Sequence, residues 1–235
     1  MKKQIFAAEA QAGQYLAQTV DAVLRKKPDA VLCLAAGHTS LPAFAAMAEM
    51  GTDFSRARIL GLDEWLGVPA GQEGSCAYFL QKNLFSRINA RPENIVLFDS
   101  MAEAAAACAA IETQLLAWGG IDYLLLGMGM NGHLALNEPG DRFDRGPHEA
   151  PLSQTTLAVA PKYFPEGMPP IKSGVTLGIK NLLKARRIQL AVFGAHKAEA
   201  VQKLLSYAQP CEAFPATALY LAENAELVLD EAAAG

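Results

Sequence analysis

Apolar and polar positions along this chain follow two alternating patterns. Short continuous apolar runs, typical of strands buried on both faces, are separated by longer stretches in which apolar residues recur at helical spacing. The runs predict strands at 30–34, 58–62, 95–98, 123–126, 188–193, 217–221 and 226–229. The stretches predict helices at 7–26, 41–50, 77–85, 102–118 and 197–208. This order predicts an α/β fold with a doubly wound, mostly parallel sheet that carries helices on both faces.

One long segment interrupts the alternation. Residues 141–173 hold six prolines and several charges, without sustained periodicity. Loops of this length in compact domains are usually either functional or disordered. A surface excursion is one interpretation, but we favour a lid, because some apolar side chains of the segment can pack when it closes. These are Leu152, Leu157, Val159, Tyr163 and Phe164. Residues 1–235 are otherwise expected to form a single domain.

The composition of the chain argues against several classes of protein. Hydrophobic residues make up 51% of the chain, but no apolar run has the length of a membrane span and the N-terminal residues lack a signal-peptide core. We therefore expect a cytoplasmic protein without a membrane partner. The formal charge of −4 and the pI of about 5.6 offer no basic surface for nucleic acid. The four cysteines lack zinc-site spacing, which predicts buried free thiols and no structural metal.

The most informative segment follows the predicted strand 123–126. Three glycines allow a sharp turn at the carboxyl end of this strand, where open α/β sheets bind ligands: Gly127, Gly129 and Gly132. His133 lies in the turn, and imidazole is the side chain best suited to move protons near neutral pH. The carboxylate of Glu138 can fix the tautomer of this imidazole and raise its basicity. The segment therefore predicts proton-transfer chemistry.

The same glycines match the spacing G-x-G-x-x-G of dinucleotide-binding turns. That fingerprint opens a long helix in the first βα unit of its fold. Here Pro139 and Gly140 stop any helix within two turns, and the match lies in the middle of the chain. We therefore expect no nicotinamide or flavin cofactor.

A second strand end, after residues 30–34, carries Gly37, His38, Thr39 and Ser40 before a predicted helix. Backbone amides and hydroxyls at a helix N-terminus suit a phosphate group. An ordinary helix N-cap by Thr39 or Ser40 explains the segment equally well.

A third strand end, after residues 58–62, carries Asp63 and Glu64. Two adjacent carboxylates are either a general base with a supporting group or the start of a solvated loop. Because the carboxyl ends of parallel strands meet at one crevice, the three strand ends together favour a single site.

These segments resemble the glucosamine-6-phosphate deaminase/isomerase family over nearly the whole chain, and within it the galactosamine-6-phosphate isomerase branch. The family has L-D-E-Y or L-D-E-W at residues 62–65 and G-x-[ND]-G-H-[IL]-[AG]-[FL]-N-E-P-G at residues 129–140. Further similar stretches lie at 74–80, 175–179 and 194–198. The sister family of 6-phosphogluconolactonases shares the fold, but it has D-E-R in the first motif and an S-L-F-P-type run in place of N-E-P-G.

The resemblance implies a Rossmann-like fold of the sugar-phosphate isomerase type. It also implies conversion of a 2-amino-2-deoxyhexose 6-phosphate into a ketohexose 6-phosphate and ammonia, without a cofactor. In these terms His133 moves a proton to or from the ring oxygen, oriented by Glu138 and helped by Asn131. Asp63 is then the base that moves the proton between C2 and C1.

The resemblance also implies a phosphate site. Lys197 corresponds to a phosphate ligand of the family, and Lys162 to an arginine of its lid. The family's phosphate loop reads T-G-S-T-P-L, whereas this chain has A-G-H-T-S-L at residues 36–41, so Gly37 and Thr39 are retained and His38 replaces a small residue. The imidazolium of His38 can still bind a phosphate. We expect galactosamine 6-phosphate as the substrate, with glucosamine 6-phosphate as the alternative.

Two other functions share this fold: a 6-phosphogluconolactonase-like hydrolase and a sugar-phosphate-binding effector domain without turnover. Regulators with such domains carry an added helix-turn-helix segment, whereas here the first strand is expected at residue 30, after a single helix. The joint presence of Asp63, His133 and Glu138 favours an enzyme. A homo-oligomer is compatible with the sequence.

Overall fold

A computed structural model describes all residues, 1–235, as a central sheet with helices on both faces and a small second sheet. The strands are β1 (Lys2–Phe6), β2 (Val31–Leu34), β3 (Arg58–Leu60), β4 (Asp63–Trp65), β5 (Ile95–Val96), β6 (Tyr123–Gly127), β7 (His148–Pro151), β8 (Ser173–Thr176), β9 (Ile188–Val192) and β10 (Ala225–Asp230). The helices are α1 (Glu9–Lys26), α2 (Leu41–Glu49), α3 (Cys76–Asn83), α4 (Ala104–Ala117), α5 (Gln154–Val159), α6 (Ile179–Leu182), α7 (Ala198–Ser206) and α8 (Glu231–Ala234). None of these helices combines the length and the apolar character that a membrane span requires.

The central sheet has the strand order β1-β10-β9-β6-β2-β3-β5, and all of its pairs are parallel. Alternate residues of each strand face opposite layers. In β2, for example, Leu32 and Leu34 pack with α1 and α2, whereas Val31 and Cys33 pack in the core on the other face, with α4 and α7. Burial on both faces explains why the strands are continuously apolar. The prediction of a doubly wound α/β fold is confirmed.

The N-terminal strand was not predicted. Strand β1 pairs with β10 at the edge of the sheet, and most of its side chains are exposed, including Lys2, Lys3 and Gln4. An edge strand with polar side chains lacks the apolar run on which the prediction depends. The expectation that residue 30 begins the first strand, after a single helix, is therefore wrong.

Two other predicted strands also need correction. Residues 217–221 belong to a 3-10 helix, Pro215–Leu221, in which residues 215–219 are buried. Periodicity cannot separate a buried helical turn from a buried strand when the run is short. The predicted strand 58–62 ends at Leu60, and the chain then enters β4, which belongs to the second sheet.

The second sheet has the order β4-β8-β7, and both of its pairs are antiparallel. It joins the Asp63 segment to the segment 141–173, which contains β7, α5 and a 3-10 helix, Ala160–Tyr163. Leu152 and Phe164 are buried in a small core with Trp65, whereas Val159 is 38% exposed. The segment is thus packed over the carboxyl ends of the strands. That it opens and closes as a lid remains a prediction.

Candidate active site

One cavity of about 250 Å³ lies at the carboxyl ends of β2 and β6, beneath the segment 141–173. The predicted site residues that line it are Gly37, His38, Thr39, Asp63, His133, Lys162 and Lys197. Asn131 and Glu138 lie behind the imidazole of His133, in contact with its turn. The structure therefore brings all nine predicted site residues together, although they come from five separate segments of the sequence.

His133 is held by a turn that leaves no space beside its ring. The backbone amide of Gly129 donates a hydrogen bond to the His133 carbonyl over 3.0 Å. A Cβ atom at Gly129 would overlap the imidazole. The glycine at position 129, which is part of the spacing that resembles a dinucleotide fingerprint, thus allows the backbone to approach the His133 ring closely.

The carboxylate of Glu138 is 7% exposed and accepts several hydrogen bonds. Asn131 Nδ2 donates to Glu138 Oε2 over 2.8 Å, while Asn131 Oδ1 accepts from the His133 amide over 3.2 Å. Thr156 Oγ1 donates to Glu138 Oε1. The distance from His133 Nδ1 to Glu138 Oε2 is 3.7 Å, beyond direct hydrogen-bonding range, whereas Nδ1 lies 3.4 Å from Thr156 Oγ1. Sequence reasoning identified the carboxylate but missed this threonine.

The side chain of His133 is 22% exposed. Burial lowers its pKa, the carboxylate of Glu138 acts in the opposite direction, and the charges of Lys197 and Lys162 lower the pKa further. Because the net shift is downward, the imidazole is a neutral base at pH 7.

The two adjacent carboxylates after β3 have different surroundings. Glu64 is 2% exposed and accepts from the amides of Trp65, Cys76 and Ala77 over 2.8–2.9 Å, so it is fixed at the N-terminus of α3. Asp63 lines the cavity instead, and only the thiol of Cys76 contacts its carboxylate, with Sγ 3.6 Å from Oδ1. Asp63 is thus the only one of the two whose carboxylate is available to a ligand.

Burial and the neighbouring charge of Glu64 raise the pKa of Asp63 to about 7, although the hydrogen bond from Cys76 acts in the opposite direction. A carboxyl group with this pKa can both accept and donate a proton near neutral pH. The alternative of a solvated loop start is therefore wrong for both residues.

The glycine-containing turn after β2 presents its backbone and the Thr39 side chain to the cavity. Neither Thr39 nor Ser40 caps the helix through its side chain, since no such bond forms at the start of α2 and Ser40 Oγ donates to the Ala35 carbonyl over 2.7 Å. The N-cap alternative is therefore wrong, and the turn is available to an anion.

Two lysines lie at the same part of the cavity. Lys197 Nζ donates to the Met128 carbonyl over 2.7 Å, and burial together with the charge of Lys162 lowers the pKa of Lys197 to about 8. Burial also lowers the pKa of Lys162, whose ammonium lies 4.8 Å from the ring centroid of Tyr163. Burial opposes the charged form of both lysines, and the charge of Lys162 adds to this effect at Lys197, so a phosphate bound beside them would stabilise both cations.

His38 lies between the rings of Phe79 and Tyr163, at centroid distances of 6.1 and 5.5 Å. Burial and the charge of Lys162 lower its pKa. At pH 7 His38 is therefore mainly neutral, in contrast to the imidazolium that the sequence suggested.

Besides Thr156, sequence reasoning missed Ser153 and Cys76. Ser153 follows β7, and its amide donates to Glu138 Oε1 over 3.3 Å. Cys76 is only half-buried and faces the cavity, so it is not the buried structural thiol that the cysteine spacing predicted. Cys76 lies in the stretch 74–80 that shares the family resemblance, but nothing in the sequence marks any of the three side chains as part of the site, because tertiary packing brings them there.

Comparison with known proteins agrees with this geometry. The profile of a family described as glucosamine-6-phosphate isomerases/6-phosphogluconolactonase matches residues 4–229. A glucosamine-6-phosphate deaminase 2 of Giardia intestinalis is 34% identical over 224 residues, which cover 93% of this chain and 85% of the relative.

Two solved structures have the same fold as this chain. A monomeric glucosamine-6-phosphate deaminase is 31% identical and superposes with a TM-score of 0.95, covering 100% of this chain and 99% of its own. A 6-phosphogluconolactonase of Trypanosoma brucei has a TM-score of 0.78 at 20% identity, covering 99% of this chain and 97% of its own, and it shares the fold alone.

Proposed function

The chain belongs to the family of glucosamine-6-phosphate isomerases and 6-phosphogluconolactonases, and we propose that within this family it is an amino-sugar-6-phosphate deaminase and isomerase. It converts a 2-amino-2-deoxyhexose 6-phosphate into a ketohexose 6-phosphate and ammonia. One observation carries this proposal: the Asp63 carboxylate and the His133 imidazole line a single cavity that also contains two uncompensated lysines.

Ring opening is the first step. His133 takes the proton of the C1 hydroxyl and supplies a proton to the ring oxygen while the bond between C1 and that oxygen breaks. A neutral imidazole can do both, and the lowered pKa of His133 keeps it neutral at pH 7. Behind the ring, Asn131 holds the backbone of His133, and Glu138 places its negative charge on the Nδ1 side, 3.7 Å from that nitrogen.

The isomerisation moves a proton between carbons. Asp63 removes the proton from C2 of the open-chain amino aldehyde and returns one to C1. The oxygen at C1 gains a proton and the amino nitrogen loses one, which leaves a hydroxyl at C1 and an imine at C2. Water adds to this imine and ammonia leaves. A carboxyl group whose pKa is about 7 suits this step, because it accepts and donates protons with similar ease at neutral pH.

The phosphate group binds at the other end of the cavity, between the turn after β2 and the two lysines. The Gly37–Thr39 amides, the Thr39 hydroxyl and the ammonium groups of Lys162 and Lys197 supply donors there. No metal or cofactor takes part in any of these steps.

The finer proposal is that galactosamine 6-phosphate is preferred to glucosamine 6-phosphate. It rests on the resemblance of the sequence motifs to the galactosamine-6-phosphate isomerase branch. The two substrates differ only in the orientation of the C4 hydroxyl, so the preference is a difference in kcat/KM rather than in chemistry.

An ammonia-release assay across a panel of hexosamine 6-phosphates tests the proposal, with 6-phosphogluconolactone included. We expect ammonia and a ketose 6-phosphate, with the highest kcat/KM for galactosamine 6-phosphate. The variant Asp63→Asn removes turnover, whereas Asp99→Asn, which changes an exposed aspartate away from the cavity, retains it.

Other outcomes contradict specific parts of the proposal. A higher kcat/KM for glucosamine 6-phosphate reverses the substrate preference and leaves the reaction unchanged. Lactone hydrolysis without ammonia release indicates a lactonase. Tight binding of a hexosamine 6-phosphate without any turnover indicates a sugar-phosphate sensor.

A further inference from the structure

The N-terminus of helix α5 contributes two hydrogen-bond donors to the Glu138 carboxylate. Thr156 Oγ1 donates to Glu138 Oε1, and the Ser153 amide donates to the same oxygen over 3.3 Å. Thr156 is only 6% exposed and also contacts His133, with 3.4 Å between Oγ1 and Nδ1. The imidazole is thus linked to the carboxylate through a threonine hydroxyl and not directly.

The hydrogen-bonding capacity of this hydroxyl fixes the direction of the link. A threonine hydroxyl has one proton to donate and two lone pairs that accept. Because a carboxylate only accepts, the proton of Thr156 goes to Glu138. The lone pairs then face Ser153 Oγ at 3.2 Å and His133 Nδ1 at 3.4 Å. With its own proton engaged, Thr156 Oγ1 can only accept from Nδ1, so Nδ1 carries the imidazole proton.

This assignment decides which nitrogen reacts. A neutral imidazole has one N–H and one lone pair. When Nδ1 holds the proton, Nε2 keeps its lone pair, and no other protein group forms a hydrogen bond with Nε2. The nitrogen available to a ligand in the cavity is therefore a proton acceptor, as ring opening at C1 requires. This last step rests on the proposed function, whereas the tautomer itself does not.

We propose that Thr156 is a positioning residue that holds His133 in the Nδ1–H tautomer through a Glu138–Thr156–His133 hydrogen-bond relay. Thr156 belongs to the segment 141–173, while His133 and Glu138 belong to the turn after β6. The relay is therefore complete only when this segment is seated over the cavity. When the segment 141–173 covers the cavity, it therefore also fixes the tautomer of His133.

A purely structural role does not account for the Thr156 hydroxyl. Helix α5 is capped by Ser153, whose Oγ accepts from the Thr156 amide over 3.2 Å, so the helix start does not depend on the Thr156 side chain. Valine has nearly the shape of threonine and keeps its branching at Cβ. Thr156→Val therefore removes the hydroxyl with little change in packing.

Nitrogen-15 NMR of the imidazole rings in the ligand-free protein tests the relay directly, at a pH where His133 is neutral. The chain has four histidines, and the spectrum of His133→Gln assigns the signals of His133 by their loss. In the wild type we expect a protonated Nδ1 and an unprotonated Nε2. In Thr156→Val the two signals shift toward each other or exchange, and in Thr156→Ser they keep the wild-type pattern.

A matched control is Thr113→Val in helix α4, because Thr113 Oγ1 donates to the Ala109 carbonyl over 2.8 Å on an exposed face. It should leave the His133 signals unchanged. A wild-type spectrum with a protonated Nε2 overturns the proposal without any variant. An unchanged His133 pattern in folded Thr156→Val overturns it as well.

Turnover provides a second measurement. Loss of one orienting hydrogen bond should lower kcat about tenfold in Thr156→Val, while KM changes little and Thr156→Ser retains most of the rate. A loss confined to KM would contradict a role in orienting the base. If no hexosamine 6-phosphate is turned over at all, the proposed function fails, yet the NMR result still decides the tautomer.

Discussion

The thiol of Cys76 lies beside the Asp63 carboxylate, with Sγ 3.6 Å from Oδ1. Burial and the charges of Glu64 and Asp63 raise the pKa of this thiol well above its ordinary value, so it stays protonated and can donate. Its hydrogen bond favours the charged form of Asp63 and opposes the upward shift that burial causes. Cys76 thus affects the pH range in which the carbon base is active.

The first prediction is an acid limb in the pH dependence of kcat/KM. Asp63 must be ionised to take a proton, and its pKa is raised to about 7, so activity should fall as the pH drops through about 7. Cys76→Ala removes the donor, raises the pKa of Asp63 further and should move this limb to higher pH. The second ionisation of the substrate phosphate, at about pH 6, is the same for both proteins and cancels in the comparison. A limb that stays in place or moves to lower pH in Cys76→Ala would contradict this role of the thiol.

The second prediction concerns the phosphate end of the cavity. The pKa of Lys197 is lowered to about 8, so its positive charge is present below that pH and is lost above it. KM for a 6-phosphate substrate should therefore rise as the pH increases through about 8. Lys197→Arg, whose guanidinium remains charged, should remove this rise, and Lys197→Met should raise KM about 10- to 100-fold at pH 7, as expected for a lost charge-assisted hydrogen bond. A pH-independent KM in the wild type would show that Lys197 does not bind the phosphate.

The third prediction tests the packing of the turn after β6. Gly129→Ala places a methyl group where the His133 ring lies, so the imidazole must move. A displacement of about 1 Å can cost about 100-fold in rate, and we expect a loss of this order in kcat. Gly71→Ala is the matched control, because a Cβ atom there meets nothing within 4 Å. Far-ultraviolet circular dichroism should be unchanged in both variants. Wild-type activity in Gly129→Ala would mean that the exact ring position is unimportant.

The strands buried on both faces could be predicted from the sequence, whereas the exposed edge strand β1 could not. Strands such as β2 and β6 are buried on both faces, and this burial requires the apolar runs that identify them. Strand β1 is exposed at the sheet edge and has no such run. The 3-10 helix Pro215–Leu221 has such a run without being a strand, because burial and not strand geometry selects apolar residues.

The candidate site could also be predicted only in part from the sequence. Asp63 and His133 lie within a few residues of the carboxyl ends of β3 and β6, so the sheet topology places them at one crevice before any side-chain contact is known. Thr156 lies 18 residues from Glu138 and reaches it only through the path of the segment 141–173. The pKa values of Asp63 and Lys197 depend on burial and on neighbouring charges, which no local pattern records.

The last prediction separates ring opening from the chemistry at the carbons. Glutamine at position 133 cannot exchange protons with the ring oxygen, so His133→Gln should strongly slow turnover of the cyclic substrate. On an open-chain analogue that needs no ring opening, this variant should still exchange the C1 and C2 protons with solvent, because the Asp63 carboxylate is intact. Asp63→Asn should abolish exchange on the analogue and turnover of the cyclic substrate alike. Deuterium incorporation measured by NMR in heavy water, beside ammonia release from the cyclic substrate, gives both rates for each variant. If His133→Gln and Asp63→Asn lost proton exchange on the open-chain analogue to the same extent, the imidazole would also take part in proton transfer at the carbons. The proposed division of roles between His133 and Asp63 would then be wrong.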